Sequence, residues 1–280
     1  RDRSVSRGLG DVYKRQSLDN YFVIGAKQLG IDIFRYKDDG SFEINFDENV
    51  FKKLWDSYYT PYVKGYFSAI GKFRSSDIQA GEILSYIGST TSGGYFPKNV
   101  IVKNGETTEQ YEITSKILET PVFEGGEKYA VSQGAGFCVT KSTSKREKAC
   151  VDFLKWLCKK ENIMEFASTS GYFPATKDGF SNEFIELQSN ESYKKNFEVC
   201  KNTLDDYGMY TNTVGPKSPQ YRDFLKNSLD EICKKVRKDI ERYSGAEREE
   251  AIQYYTDNER FNEWFESLKN SALDLSLIHI

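Results

Sequence analysis

Residues 134–177 read GAGFCVTKSTSKREKACVDFLKWLCKKENIMEFASTSGYFPATK, and this stretch decides the fold. Gly136-Phe137-Cys138-Val139-Thr140 is a short apolar run of strand composition. Ser144-Lys145-Arg146-Glu147 has the form of a capping box, which satisfies orphan N–H groups at a helix start. Cys150, Phe153, Leu154 and Leu157 recur at three- and four-residue spacing, so one face of the following helix is apolar. Lys159-Lys160 suit the negative end of that helix. A second short helix carries Ile163, Met164 and Phe166. It gives way to Ser170-Gly171-Tyr172-Phe173-Pro174, where Gly permits positive φ and Pro forbids continuation.

Towards the amino terminus the pattern is mixed α/β. Leu18–Leu29 reads as a helix ending at Gly30. Ile31–Tyr36 and Ser41–Asn45 read as strands joined by the Asp38-Asp39-Gly40 turn. Phe46-Asp47-Glu48-Asn49 leads into a helix through Val50, Leu54 and Trp55. Phe73 opens a segment that ends Gln79-Ala80-Gly81-Glu82-Ile83-Leu84-Ser85-Tyr86-Ile87, expected to finish as a strand. That strand delivers a small polar loop, Gly88–Gly94, whose hydroxyls and backbone N–H groups suit sugar hydroxyls or a phosphate. Residues 176–274 read as mainly helical. Tyr221–Tyr243 has an apolar face of Phe224, Leu225, Leu229, Ile232 and Val236; Gly245 interrupts, and Ala246–Asn270 continues in helix.

Charge and cysteine usage remove several functions. Arg1–Gln16 resembles a translated adaptor sequence, and Leu275–Ile280 looks like a second such scar, so both are set aside as non-native. The first segment holds five of the 39 cations and two of the 42 acids, which leaves 34 against 40, or −6. An acidic chain without a basic block is a poor nucleic-acid binder. The single histidine, His279, lies in the tail, so no catalytic triad, His general base or His-ligated zinc site is expected. Cys138, Cys150, Cys158, Cys200 and Cys233 form no CxxC pair, and most are expected to be small buried hydrophobes. No cofactor and no metal are expected. No apolar run reaches the length of a membrane span.

The strand, the "AxxFLxxL"-like helix, the short helix and the "GYxP" turn together resemble the family 1 extracellular solute-binding proteins of ABC importers. Phe46–Asn49, like an "FNxEN" phrase, and the segment from Phe73 to Ile87 fit the same order, with Ile83-Leu84 standing where Ala-Met is usual. The resemblance implies an α/β, periplasmic-binding-protein-like (type II) two-lobe fold with most of the N-terminal lobe missing. Residues 17–130 would form the first part of the C-terminal lobe. Residues 131–171 would cross over and complete the N-terminal lobe, and residues 172–274 would return. It further implies a monomer, extracytoplasmic as a lipoprotein or periplasmic protein, that closes around a small solute and docks on an ABC permease.

The ligand-binding residues carried over by this resemblance are Ser89, Thr91 and Ser92 of the polar loop, Gly134 at the lobe crossing, Tyr172 of the GYFP turn, and Arg222. Tyr172 would stack on a sugar. Gly215-Pro216-Lys217-Ser218-Pro219-Gln220-Tyr221-Arg222 resembles the "PQxR" phrase of the glycerol-3-phosphate-binding branch, where the arginine meets the ligand. Arg222 as a surface ion-pair residue is the competing reading. All six residues are expected to border one concave surface. Two other classes stay open: a glycoside hydrolase using carboxylates such as Glu161 or Asp205-Asp206, and a helical interaction module over residues 221–270.

Overall fold

The computed structural model describes residues 18–66, 74–104, 107–132, 134 and 136–277. Phe73, the segment 1–16 and residues 278–280 of the tail lie outside them. The chain divides into two compact units. Unit 1 takes residues 1–87, 121–131 and 208–280, and unit 2 takes 88–120 and 132–207. The mixture of helix and sheet agrees with the α/β class.

Unit 1 begins with helix α1 (Leu18–Gln28), followed by strands β1 (Phe34–Tyr36) and β2 (Phe42–Ile44). The strands pair antiparallel with Tyr36 opposite Phe42, the hairpin that Asp38-Asp39-Gly40 predicts; Gly40 has φ 79°. Helix α2 (Glu48–Lys64) starts where Asp47 accepts a bond from Val50 N–H, and stops at Gly65, which has φ 85°. Helix α3 (Arg74–Gln79) follows. Ile83–Ile87 does not become the expected strand: only Tyr86 forms an isolated bridge. Helices α8 (Ser218–Ile240), α9 (Gly245–Tyr255) and α10 (Asn258–Leu277) complete the layer. α10 runs into residues 275–277 of the segment set aside as a tail.

The core of unit 1 is aromatic. Trp55 of α2 stacks on Tyr59 with ring centroids 3.8 Å apart and meets Trp264 of α10 at 4.8 Å. α8 lays Tyr221, Leu225, Leu229, Cys233, Val236 and Ile240 into the same core. These recur at spacings of three and four, so one stripe of the helix is buried. Strands β5 (Tyr129–Val131) and β6 (Gly208–Tyr210) pair parallel at the margin of unit 1, each next to a point where the chain passes between the units.

Unit 2 holds a 3-10 turn (Thr90–Tyr95), the hairpin β3 (Asn99–Asn104) and β4 (Thr107–Glu112), and four helices: α4 (Ser144–Leu157), α5 (Lys160–Ser170), α6 (Asn182–Glu186) and α7 (Glu191–Asp206). Its small core joins Met164 and Ala167 of α5, Phe184 and Ile185 of α6 and Phe197 of α7. α5 ends at Gly171 with φ 73°, as the GYFP turn predicts.

Three expectations fail in unit 2. Residues 136–140 are not a strand, because among the described residues no backbone partner hydrogen-bonds them; all five are exposed. The cap of α4 shifts by one residue: Thr143 is the N-cap, and Glu147 Oε1 accepts from Ser142 N–H at 2.6 Å. Cys138, Cys150 and Cys158 are exposed, and only Cys233 is fully buried. α4, which carries Cys150 and is capped at Cys158, buries none of its residues.

Candidate functional site

The polar loop is an ordered turn. Ser92 donates its N–H to Ser89 O at 2.9 Å and its hydroxyl to the same carbonyl at 2.5 Å. The Ser89 and Thr91 hydroxyls are hydrogen-bonded to each other at 2.9 Å. Part of the backbone N–H supply expected for a ligand is therefore spent inside the turn.

Within unit 2 the turn meets two other elements. Asn196 of α7 donates Nδ2–H to the Thr90 carbonyl at 2.5 Å. A Cβ at Gly171 would lie 3.3 Å from Thr91 Cα and 3.0 Å from Tyr193 Cε1, so the glycine that turns the chain into Tyr172 also makes room for the hydroxyl turn. Tyr172 is 47 % exposed and offers its ring to solvent. Thr91 of the turn is thus brought close to Gly171. Gly134 lies in the same unit, exposed, and a Cβ there would meet nothing within 4 Å.

Arg222 belongs to unit 1. It sits in the first turns of α8, after Lys217 in the left-handed region at φ 62°. Its Nε donates to Asp19 Oδ2 at 3.1 Å, and Nη2 donates to the same oxygen. Nη2 also donates to Asn20 Oδ1 at 2.7 Å, and Nη1 to Asn212 Oδ1 at 2.9 Å. Four of the five guanidinium N–H donors are occupied by these bonds. The sequence reading did not find Asp19, Asn20 or Asn212. Asp19 and Asn20 are about two hundred positions away in the chain, and Asn212 carries no local motif. The acid next to it in the chain, Asp223, pairs with Lys226 at 3.6 Å.

A third polar cluster lies beside β5 and β6. Asp32 accepts from Tyr210 Oη at 2.7 Å and from Lys27 Nζ at 3.0 Å. Lys27 Nζ lies 5.3 Å and 5.0 Å from the ring centroids of Tyr129 and Tyr210. Burial works to raise the Asp32 carboxyl, but donation from Tyr210 and Lys27 outweighs it and holds the group below its ordinary 3.8. Burial, with the bond to Asp32, pushes the Tyr210 phenol up.

Of the carboxylates that a hydrolase would need, Glu161 is exposed and Asp205 pairs with Lys201 at 2.9 Å. Among the described residues no group of three or more His, Cys, Asp or Glu side chains could hold a metal ion, and no helix is long and apolar enough to cross a membrane.

Residues 9–193 match the family described as bacterial extracellular solute-binding protein, and the chain belongs to that family. The match begins inside the segment 1–16 that the adaptor resemblance sets apart. No curated protein matches the chain. The family has a periplasmic-binding-protein-like fold and an extracytoplasmic location, and is generally non-enzymatic. Its members are binding components of transporters that take a small-molecule ligand and work with ABC permeases.

Proposed function

We propose that this chain captures a carbohydrate for import, with Ser89, Thr91, Ser92, Gly134 and Tyr172 of unit 2 as binding residues. The observation that supports this reading is the close approach of Gly171, the residue before Tyr172, to Thr91 of the hydroxyl turn. Sugars offer apolar ring faces and hydroxyls together, and a tyrosine with serine and threonine neighbours answers both.

Glycerol-3-phosphate is the weaker choice, for an electrostatic reason. An arginine holds a phosphate best when it can turn two parallel N–H donors to it and its charge is not already compensated. Arg222 is already paired with Asp19 and has one N–H left, so an anion would meet Asp19 repulsion as well as Arg222 attraction. A neutral polyol loses nothing by that pairing. The wider reading includes a monomeric, surface-anchored or periplasmic receptor. It also includes a further layer of sheet that pairs with residues 136–140 and covers α4. The support for that layer is local: an unpaired segment of strand composition followed by an unburied amphipathic helix is half of a β–α unit.

Calorimetry with a neutral sugar panel and with sn-glycerol 3-phosphate tests the choice. Tyr172→Ala is expected to weaken sugar binding more than Arg222→Ala does. Tight glycerol-3-phosphate binding that is lost in Arg222→Ala would overturn the carbohydrate assignment.

A further inference from the structure

We propose that Asn196 is the positioning residue of the hydroxyl turn, and that it holds Ser89 and Thr91 ready for solute through a hydrogen-bonded chain that begins at Cys200. The inference rests on the proposed role of that turn in binding, and it adds residues that no motif marks.

Asn196 is a polar side chain in the middle of α7, only 7 % exposed. Asparagine in a helix interior is mildly unfavourable and normally turns to water or to its own backbone. Here its Nδ2–H crosses to the Thr90 carbonyl at 2.5 Å, in the middle of the Ser89-Thr90-Thr91 sequence. Its Oδ1 accepts from Cys200 Sγ, one helical turn on, at 3.8 Å. Those two bonds fix which end of the amide faces the turn. Burial pushes the Cys200 thiol up to about 12, so it stays protonated and remains a donor. Gly93 completes the fit: a Cβ there would lie 3.1 Å from both Cγ and Nδ2 of Asn196. A side chain at position 93 and the amide at position 196 therefore compete for one space.

The consequence is preorganisation. With Thr90 O tied to α7 and Ser92 N–H tied to Ser89 O, the Ser89–Thr91 hydroxyl pair is presented in one geometry before any solute arrives. Ordering that row in advance removes its cost from binding. Losing the bond would loosen the turn without touching the hydroxyls themselves.

Hydrogen exchange read by mass spectrometry on the whole chain tests this without any ligand. Asn196→Ala is expected to raise exchange in the 89–96 peptide about five- to tenfold, the share of one lost hydrogen bond. Peptides of α2 and α8 should be unchanged. Gly93→Ala leaves every polar group in place and should raise exchange in the same peptide. The double variant should be no worse than either single one, because each change disturbs the same contact. Cys200→Ser keeps a donor and should resemble wild type, whereas Cys200→Ala should move towards Asn196→Ala. Unchanged exchange at 89–96 in Asn196→Ala, or simple addition in the double variant, would overturn the proposal. Maltose serves as the neutral sugar probe, with Thr91→Ala as a control. If the turn loosens in Asn196→Ala while neither variant alters sugar binding, the positioning role stands and the site reading fails.

Discussion

Helices α8 and α4 carry the same kind of apolar stripe and meet opposite fates. In α8 the stripe from Tyr221 to Ile240 is buried against α1, α2 and α10. In α4 no residue is buried: Phe153 and Trp156 are each 51 % exposed, and their ring centroids lie 5.8 Å apart. The segment leading into α4 is equally bare, with Phe137 70 % exposed. An apolar stripe records that a helix is meant to be covered. It does not say by what, and the described residues of unit 2 supply no cover for this one.

The sharpest way to break this comparison is to remove one tryptophan from each side. Trp55 is 1 % exposed and stacked on Tyr59. Trp55→Ala should cost about 3–5 kcal/mol in urea unfolding. Trp156→Ala should cost less than about 0.5 kcal/mol, as surface changes do. Equal losses would mean that α4 is packed after all.

The difference between the helices also marks what a sequence can disclose. Local signals came through: the end of α1 near Gly30, the Asp38-Asp39-Gly40 hairpin, the stripe of α8 and the left-handed Gly171 are all written in neighbouring residues. The two strands expected outside that hairpin failed because a strand is a relation between distant segments. Residues 136–140 and 83–87 have the composition for pairing, but composition cannot provide a partner. The candidate site divides in the same way. The hydroxyl turn and Tyr172 lie in short motifs, whereas Asp19 beside Arg222 and Asn196 beside Thr90 are tertiary contacts with no local trace. The cysteines were expected inside because cysteine usually is; three lie along the uncovered unit instead.

A polar staple gives a second contrast. Gln28, fully buried in unit 1, donates Nε2–H to Pro121 O at 3.2 Å and Tyr129 O at 2.9 Å, and accepts from Phe123 N–H at 3.2 Å. Gln28→Leu leaves those backbone groups short of a partner and should cost roughly 2 kcal/mol or more, since an unmade buried bond costs about 1–3. Hydrogen exchange should rise selectively in residues 121–131. A loss spread evenly over both units would argue against a local staple.

A smaller effect comes from Asp32. Its folded carboxyl titrates below the ordinary 3.8, so the unfolded chain takes up the proton first as pH falls. The stabilisation is complete above that ordinary value and is lost as pH drops through the folded one. Asp32→Asn should flatten this acid limb and leave stability at neutral pH nearly pH-independent in that respect. An unchanged acid limb in urea unfolding at pH 2–5 would remove Asp32 from the account.

The most direct measurement of the contrast between the two helices is residue-resolved alkylation of the native chain with iodoacetamide, because α4 and α8 each carry cysteine reporters. Cys150 and Cys158, on and just after α4, should be modified at the rate of free exposed thiols, together with Cys138. Cys233, buried in the stripe of α8, should be modified only when urea unfolds the core. Protection of Cys150 and Cys158 to the same degree as Cys233 would show that the α4 face is already covered, and would contradict the account.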